Sequence, residues 1–191
     1  MAARDIMPWI SPLGGTTEAQ WGTMAASEVF DVGEPIGVDT NGTIIEPPGA
    51  TTSVVVADFT NGLGGIAAAG PGTGTLNIDP ATGSTYATSA RIPFWPFGYG
   101  TKFITKNFFA TGDTTTLATP DQANVGVHYK MNQAVLNTAW GLEETAGLPG
   151  VDLVCLVTEV LDADKAPIRI SGGTGVYLVF EVDKPTLAEN N

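Results

Sequence analysis

Between residues 29 and 45 apolar, mostly β-branched positions alternate with small or polar ones: Ile36 and Val38 lead into Asn41-Gly42, and Ile44 follows. That period of two around an Asn-Gly pair predicts two short strands joined by a tight hairpin, because both turn residues tolerate the positive φ that matches strand twist. Pro35, just upstream, has no N–H for a ladder and fits only at an edge or as the first residue of a strand. The same kind of pattern recurs down the chain. It predicts a Val-rich strand over 53–59, a short one over 75–78, and strands over 102–109 and 125–131, the last with a partner over 134–140. Further strands are predicted over 153–161, 167–170 and 176–182, with turns at 119–124, 162–165 and 171–175 between them. Residues 91–97 hold Pro93 and Pro96 among Phe94, Trp95 and Phe97. The prolines forbid helix there, and aromatic residues beside Ile92 suit a packed corner better than an exposed stacking platform. Strands at this spacing predict an all-β fold, a small β-barrel or β-sandwich.

Two stretches depart from the alternation. Residues 1–28 place Trp9 and Trp21 among Pro8, Pro12, Gly14 and Gly15, which predicts an extended N-terminal arm with large apolar anchors. A helical turn or two over 17–26 is opposed by Gly22 and by a poor apolar period. The organisation expected is therefore an arm over 1–28, one β-rich domain over 29–185 that folds without it, and a C-terminal tail over 186–191. Residues 60–90 are dominated by Gly, Ala, Thr and Ser, and predict a long loop or hairpin insertion, with a binding role and a plain surface insert both open.

Composition narrows the class. The 191 residues are enough for one self-sufficient core, and 43% hydrophobic content with 24 Gly and 13 Pro describes a folded, turn-rich chain. The sequence holds no run of roughly 18 to 20 apolar residues, so no membrane partner is expected, and the first residues have a cytosolic character without a secretory pattern. Twenty acidic against eight basic residues give a net charge of −12, which repels a phosphate backbone; Arg91, Lys102 and Lys106 are read as a solvated strand face, and no nucleic-acid partner is expected. Cys155 is the one cysteine and lies in an apolar run, so it packs as a small hydrophobe and needs no disulfide.

Candidate chemistry is sparse. His128 sits in a strand-like alternation and reads as a surface or cross-strand residue. No Gly-x-Ser-x-Gly elbow is present. Asp162 and Asp164 have the spacing of the first two ligands of a calcium loop, but Ala166-Pro167 stands where further oxygen ligands and the glycine turn belong. The glycine runs at 62–65, 70–74 and 172–175 lack a Lys-Ser or Lys-Thr ending. Glu143 and Glu144 follow Trp140, yet adjacent residues on a strand point to opposite faces and do not make a carboxylate pair. The expectation is a protein that is not an enzyme and needs no cofactor or metal.

Gly33-Glu34-Pro35-Ile36 with its following hairpin, residues 124–129 ahead of Trp140-Gly141, and 157–165 followed by Pro167-Ile168 and 171–180 together give a familiar pattern. Over 29–46 and 120–183 the chain resembles the small β-barrel structural proteins of tailed-bacteriophage virions, especially head decoration or cement proteins. The resemblance implies a structural protein made in the host cytoplasm and carried on the outer surface of the capsid, with the major capsid protein as partner and a homo-oligomer, favouring a trimer. It offers Trp9, Trp21, Trp95 and Phe97 as candidates for capsid or subunit contact, and it leaves open an arm that simply folds over its own barrel. The alternative is a carbohydrate-binding β-sandwich module of a tail or head fibre, which would stack sugars on Trp95, Phe97 and Tyr99. A hydrolytic β-fold enzyme using Glu143, Glu144 or His128 is the more distant rival.

Overall fold

A computed structural model describes residues 6–9, 19–25, 32–38, 41–45, 64–68, 91–98, 100–133, 139–147 and 153–183. The protein is all-β, with thirteen strands and one 3₁₀ turn among those residues. The strands divide into a closed five-stranded barrel and an eight-stranded sheet. No helix among the described residues is long and apolar enough to cross a membrane.

The barrel is built from β2 (Gln20–Met24), β3 (Pro35–Val38), β4 (Thr43–Ile45), β5 (Gly64–Ala67) and β6 (Arg91–Pro96), in the order β2-β4-β3-β5-β6. The β3–β4 hairpin forms as predicted, with Val38 opposite Ile44, and Pro35 is the first residue of its strand. Its corner differs from a two-residue turn. Gly42 takes φ of 79°, but Asn41 stays out of the left-handed region, and residues 39 and 40 lie outside the described part. Period-two alternation points Met24, Ile36, Ile44, Ala67, Ile92 and Phe94 into one small core. Gly22 also faces inward, where a Cβ would come within 2.7 Å of Ile44 Cδ1, so any side chain there would displace the Ile44 that fills the barrel.

The sheet runs β1 (Ile6–Pro8), β7 (Lys102–Thr105), β13 (Tyr177–Val182), β12 (Val154–Leu161), β10 (His128–Gln133), β11 (Trp140–Ala146), β8 (Phe108–Ala110) and β9 (Asp113–Leu117). β7 and β8 are consecutive in sequence but five strand spacings apart in the sheet. Flat, that separation would be about 24 Å; the link from Thr105 to Phe108 spans at most ~11 Å. The sheet must therefore fold back on itself. Asn107 occupies the joint: its Nδ2 donates to Trp140 O at 2.9 Å and its carbonyl accepts from Leu142 N at 3.0 Å. Gly141 lies against it so closely that a Cβ would fall 2.2 Å from Asn107 O. The rolled interior takes Phe103, Phe108, Tyr129, Met131, Trp140, Leu142, Cys155, Val157, Val160, Leu178 and Phe180, all buried.

β6 and β5 belong to both cores. Ile92 and Phe94 point into the barrel, whereas Trp95, Phe97 and Ile66 leave its outer side and pack with the interior of the sheet. Phe97 meets Phe103 edge-on at 5.7 Å.

Several predicted elements shift. The segment 102–109 is two strands, broken at the Lys106-Asn107 joint. The partner of β10 is Trp140–Ala146, later than the predicted 134–140, and 134–138 lie outside the described residues. Residues 167–170 contribute only a single bridge, Leu161 to Pro167. The strands predicted over 53–59 and 75–78 lie outside the described residues. The insertion read over 60–90 contains β5, whose two glycines and small side chains hide a buried strand. The N-terminal arm is also corrected: β1 pairs with β7, and β2 closes the barrel between β4 and β6.

Candidate interaction surface

Pairing of β2 with β6 sets the outer face of the barrel. Trp21 lies opposite Pro93, Gly22 opposite Ile92, and Thr23 opposite Arg91. Because Gly22 and Met24 point in, Trp21 and Thr23 point out, and Trp21 is left 56% exposed. Its backbone is held on the β6 side, where it faces Pro93 and Arg91 Nη2 donates to Trp21 O at 3.3 Å, while the ladder to β4 begins two residues on, at Thr23. The result is a large aromatic on a fixed strand beside an exposed arginine and a proline, the residue types that anchor protein contacts.

The other three aromatic candidates are committed to the fold. Phe97 is 8% exposed and Trp95 is partly buried, both against the core of the rolled sheet. Trp9 donates its backbone N–H to Lys102 O at 2.8 Å, and its side chain packs with Met7 and Tyr177 over Ile104, Leu161 and Val179 on the outer side of the sheet. The stacking platform of Trp95 and Phe97 is thus unavailable, and Tyr99 lies outside the described residues. Nothing in the sequence separated Trp21 from Trp9. The cue is the parity of Gly22 and Met24 against Trp21 and Thr23, readable only once 20–24 is known to be a strand.

The titratable residues are brought together in structural pairings. Glu143 and Glu144 do point apart, the first buried and the second exposed. Glu143 lies on the outer side of the rolled sheet beneath the β8–β9 turn. Its Oε1 accepts from Gly112 N at 3.0 Å and Thr145 Oγ1 at 2.7 Å; its Oε2 accepts from Lys130 Nζ at 3.1 Å and from Asn132 Nδ2. Burial by itself favours the neutral acid, but the hydrogen bonds from Thr145, Gly112, Lys130 and Asn132 outweigh it and hold the carboxyl below the usual glutamate range. All its lone pairs are engaged from within, which suits a clasp and not an acid–base group.

His128 is exposed on β10, with Nε2 3.2 Å from Asp183 Oδ2, the cross-strand setting expected of it. Tyr129 is pushed above the usual phenol range, chiefly by burial and further by the charges of Glu144 and Asp121, although Asn124 Nδ2 donates to its hydroxyl at 2.7 Å. Cys155 is fully buried, and loss of solvation pushes its thiol up, away from thiolate chemistry. Asp162 uses Oδ1 to accept from Asp164 N at 2.9 Å and Ala166 N at 2.8 Å, so it caps its own turn. Among the described residues no cluster of His, Cys, Asp and Glu could hold a metal ion.

Neither a protein-family model nor a curated protein nor a solved structure matches the chain.

Proposed function

We propose that the chain is a structural virion protein that binds the outer surface of an assembled phage head and stabilises it, with the major capsid protein as its partner. The observation that carries the reading is Trp21, more than half exposed on a barrel strand laddered to β6 along its length and to β4 from Thr23 on. A rigid aromatic anchor loses little conformational freedom on docking, so most of its buried area is realised as affinity. A cement protein has no reaction to perform. It must stay soluble before assembly, which a net charge of −12 favours, and then add modest contacts at many equivalent positions on a shell. The reading assigns no catalytic residue and no cofactor, and it replaces the loose arm with the outer barrel face as the gripping surface.

The test uses undecorated heads of the phage that encodes the chain. Wild-type protein should co-sediment with them in a fixed ratio to the major capsid protein and raise their disruption temperature. Trp21→Ala, folded by its circular dichroism melt, should bind at least about tenfold more weakly, in line with a central hot spot. Wild-type protein that leaves such heads bare removes the reading.

A further inference from the structure

We propose that Asn41 is a site of spontaneous covalent modification: Gly42 N closes onto Asn41 Cγ with loss of ammonia, and water reopens the ring, leaving isoaspartate or aspartate at the β3–β4 corner.

Asn41, Asn107, Asn124 and Asn132 are the asparagines among the described residues, and the first stands apart from the rest. Asn107, Asn124 and Asn132 are 7%, 8% and 5% exposed. Each Nδ2 is spent inside the fold, donating to Trp140 O at 2.9 Å, to the Tyr129 hydroxyl at 2.7 Å, and to Glu143 Oε2. The following amides are committed as well: Val125 N donates to Gln122 O at 3.3 Å and Gln133 N to Asn132 Oδ1 at 2.8 Å, while Phe108, after Asn107, is buried as the first residue of β8. Asn41 and Gly42, by contrast, are both exposed, beyond the last rung of the hairpin, where Val38 faces Ile44. Among the described residues nothing accepts from Gly42 N–H, the group that must attack. A Cβ built at Gly42, whose φ is 79°, would meet nothing within 4 Å, so the corner is open on that side. Asn61-Gly62, the other such pair in the chain, lies outside the described residues.

The step balances without an oxidant or a reductant. Gly42 N gives up its proton to a solvent base as the N–Cγ bond forms; the Cγ–Nδ2 bond breaks, and Nδ2 takes a proton from water and leaves as ammonia. Water, the co-reactant, then adds to one of the two carbonyl carbons of the cyclic imide. Addition at the main-chain carbon leaves isoaspartate, with the backbone running through Cγ and one methylene longer; addition at Cγ leaves aspartate. Glycine is the residue that permits closure, since it has no Cβ to crowd the attacking nitrogen and adopts either sign of φ. Both products set a carboxylate where a neutral amide stood. Because Thr43 is laddered to Thr23, that charge arises beside the strand that carries Trp21. The chemistry itself does not depend on capsid binding.

The test holds the full chain at mildly alkaline pH in heavy-oxygen water and maps it by peptide mass spectrometry, with fragmentation that separates isoaspartate from aspartate. The fragment carrying Asn41 should gain an acid bearing one heavy oxygen, with isoaspartate in excess. Its rate should exceed that at Asn107, Asn124 or Asn132 at least about tenfold, a barrier difference of ~1.4 kcal/mol. Gly42→Ala should slow conversion by a similar factor, and Asn41→Gln, whose longer side chain would have to close a larger ring, should keep its amide. An Asn41 that remains an amide for the time in which a free peptide of residues 37–46 converts overturns the proposal. So does an acid product without isoaspartate, which would mean direct hydrolysis of the side chain. A rate at Asn41 no higher than at the buried asparagines, or unchanged in Gly42→Ala, overturns it too.

Discussion

At the scale of residues, Glu143 carries the clearest consequence for stability. Its carboxylate ties β10, through Lys130 and Asn132, to the β8–β9 turn, through Gly112. Glu143→Gln puts an amide donor among four donors and leaves the Lys130 ammonium without its counter-charge. Removing one member of a fully buried ion pair costs about 3–5 kcal/mol. Lys130 keeps 23% of its side chain in water, so the expected loss is smaller, about 2 kcal/mol. The pH dependence has a definite sign. The folded-state value is depressed, so the contribution of Glu143 is fully present above the ordinary glutamate value, ~4.3, and is lost as pH falls through the lower folded value. Urea unfolding at stepped pH checks this: the wild-type chain should lose stability in acid more steeply than Glu143→Gln. Equal slopes would show that folding leaves the Glu143 carboxyl at its ordinary value, so that the four donors do not favour its ionised form.

At the scale of elements, legibility followed the strength of the local pattern. β12 and β13 are long and apolar, and they lie close to where alternation put them. β2 was unreadable as a strand because Gly22 gives no hydrophobic signal, yet its missing side chain is what lets Ile44 and Phe94 fill the barrel. β5 was lost for a similar reason: Gly64 and Gly65 read as loop, although a Cβ at Gly65 would fall 2.4 Å from Trp95 O across the ladder. β6 contains two prolines, which argue against an interior strand, but closure of the barrel leaves it paired on both sides. Local sequence could not reveal that pairing, since its partners lie about 27 and 70 residues away along the chain. A truncation follows from it. Starting the chain at residue 11 removes the edge strand β1 with its buried Ile6, and Trp9 beside it; this should lower the melt but leave it cooperative, since the barrel stays closed. Starting it at residue 27 removes β2, opens the barrel between β4 and β6, and exposes Ile44 and Phe94 to water. That shorter form should unfold about 6–12 °C below the longer one, as a further loss of ~3 kcal/mol implies for a chain of this size, or accumulate as aggregate. A melt equal to that of the longer form would mean that β2 is dispensable to the barrel.

At the scale of the whole molecule, the barrel and the rolled sheet share residues so closely that their stabilities are coupled. Along β6 the alternation sends Ile92 and Phe94 into one core and Trp95 and Phe97 into the other, while Ile66 on β5 crosses to the sheet beside Ala67 in the barrel. One strand cannot leave the barrel without withdrawing two aromatic side chains from the sheet. The general class was legible because hydrophobic alternation is a local property. The division into two cores was not, because it depends on which neighbour covers each face of β6. The candidate site was legible only as a choice among four aromatic residues, and burial of Trp95 and Phe97, with packing of Trp9, left Trp21 on the outer barrel face. The coupling predicts a single thermal transition. Trp21 fluorescence reports the barrel and Trp140, fully buried in the sheet, reports the second core; variants retaining one of them, with the other tryptophans replaced by phenylalanine, allow each to be followed. Within each variant the tryptophan signal and far-UV circular dichroism should give one midpoint, and the calorimetric and van't Hoff enthalpies should agree. Phe97→Ala removes a buried ring that joins the two parts and should cost about 3–5 kcal/mol, lowering both reporters together. Two separated midpoints, or a shift confined to the Trp140 reporter, would mean that the barrel stands without the sheet and that the shared face of β6 contributes packing without coupling.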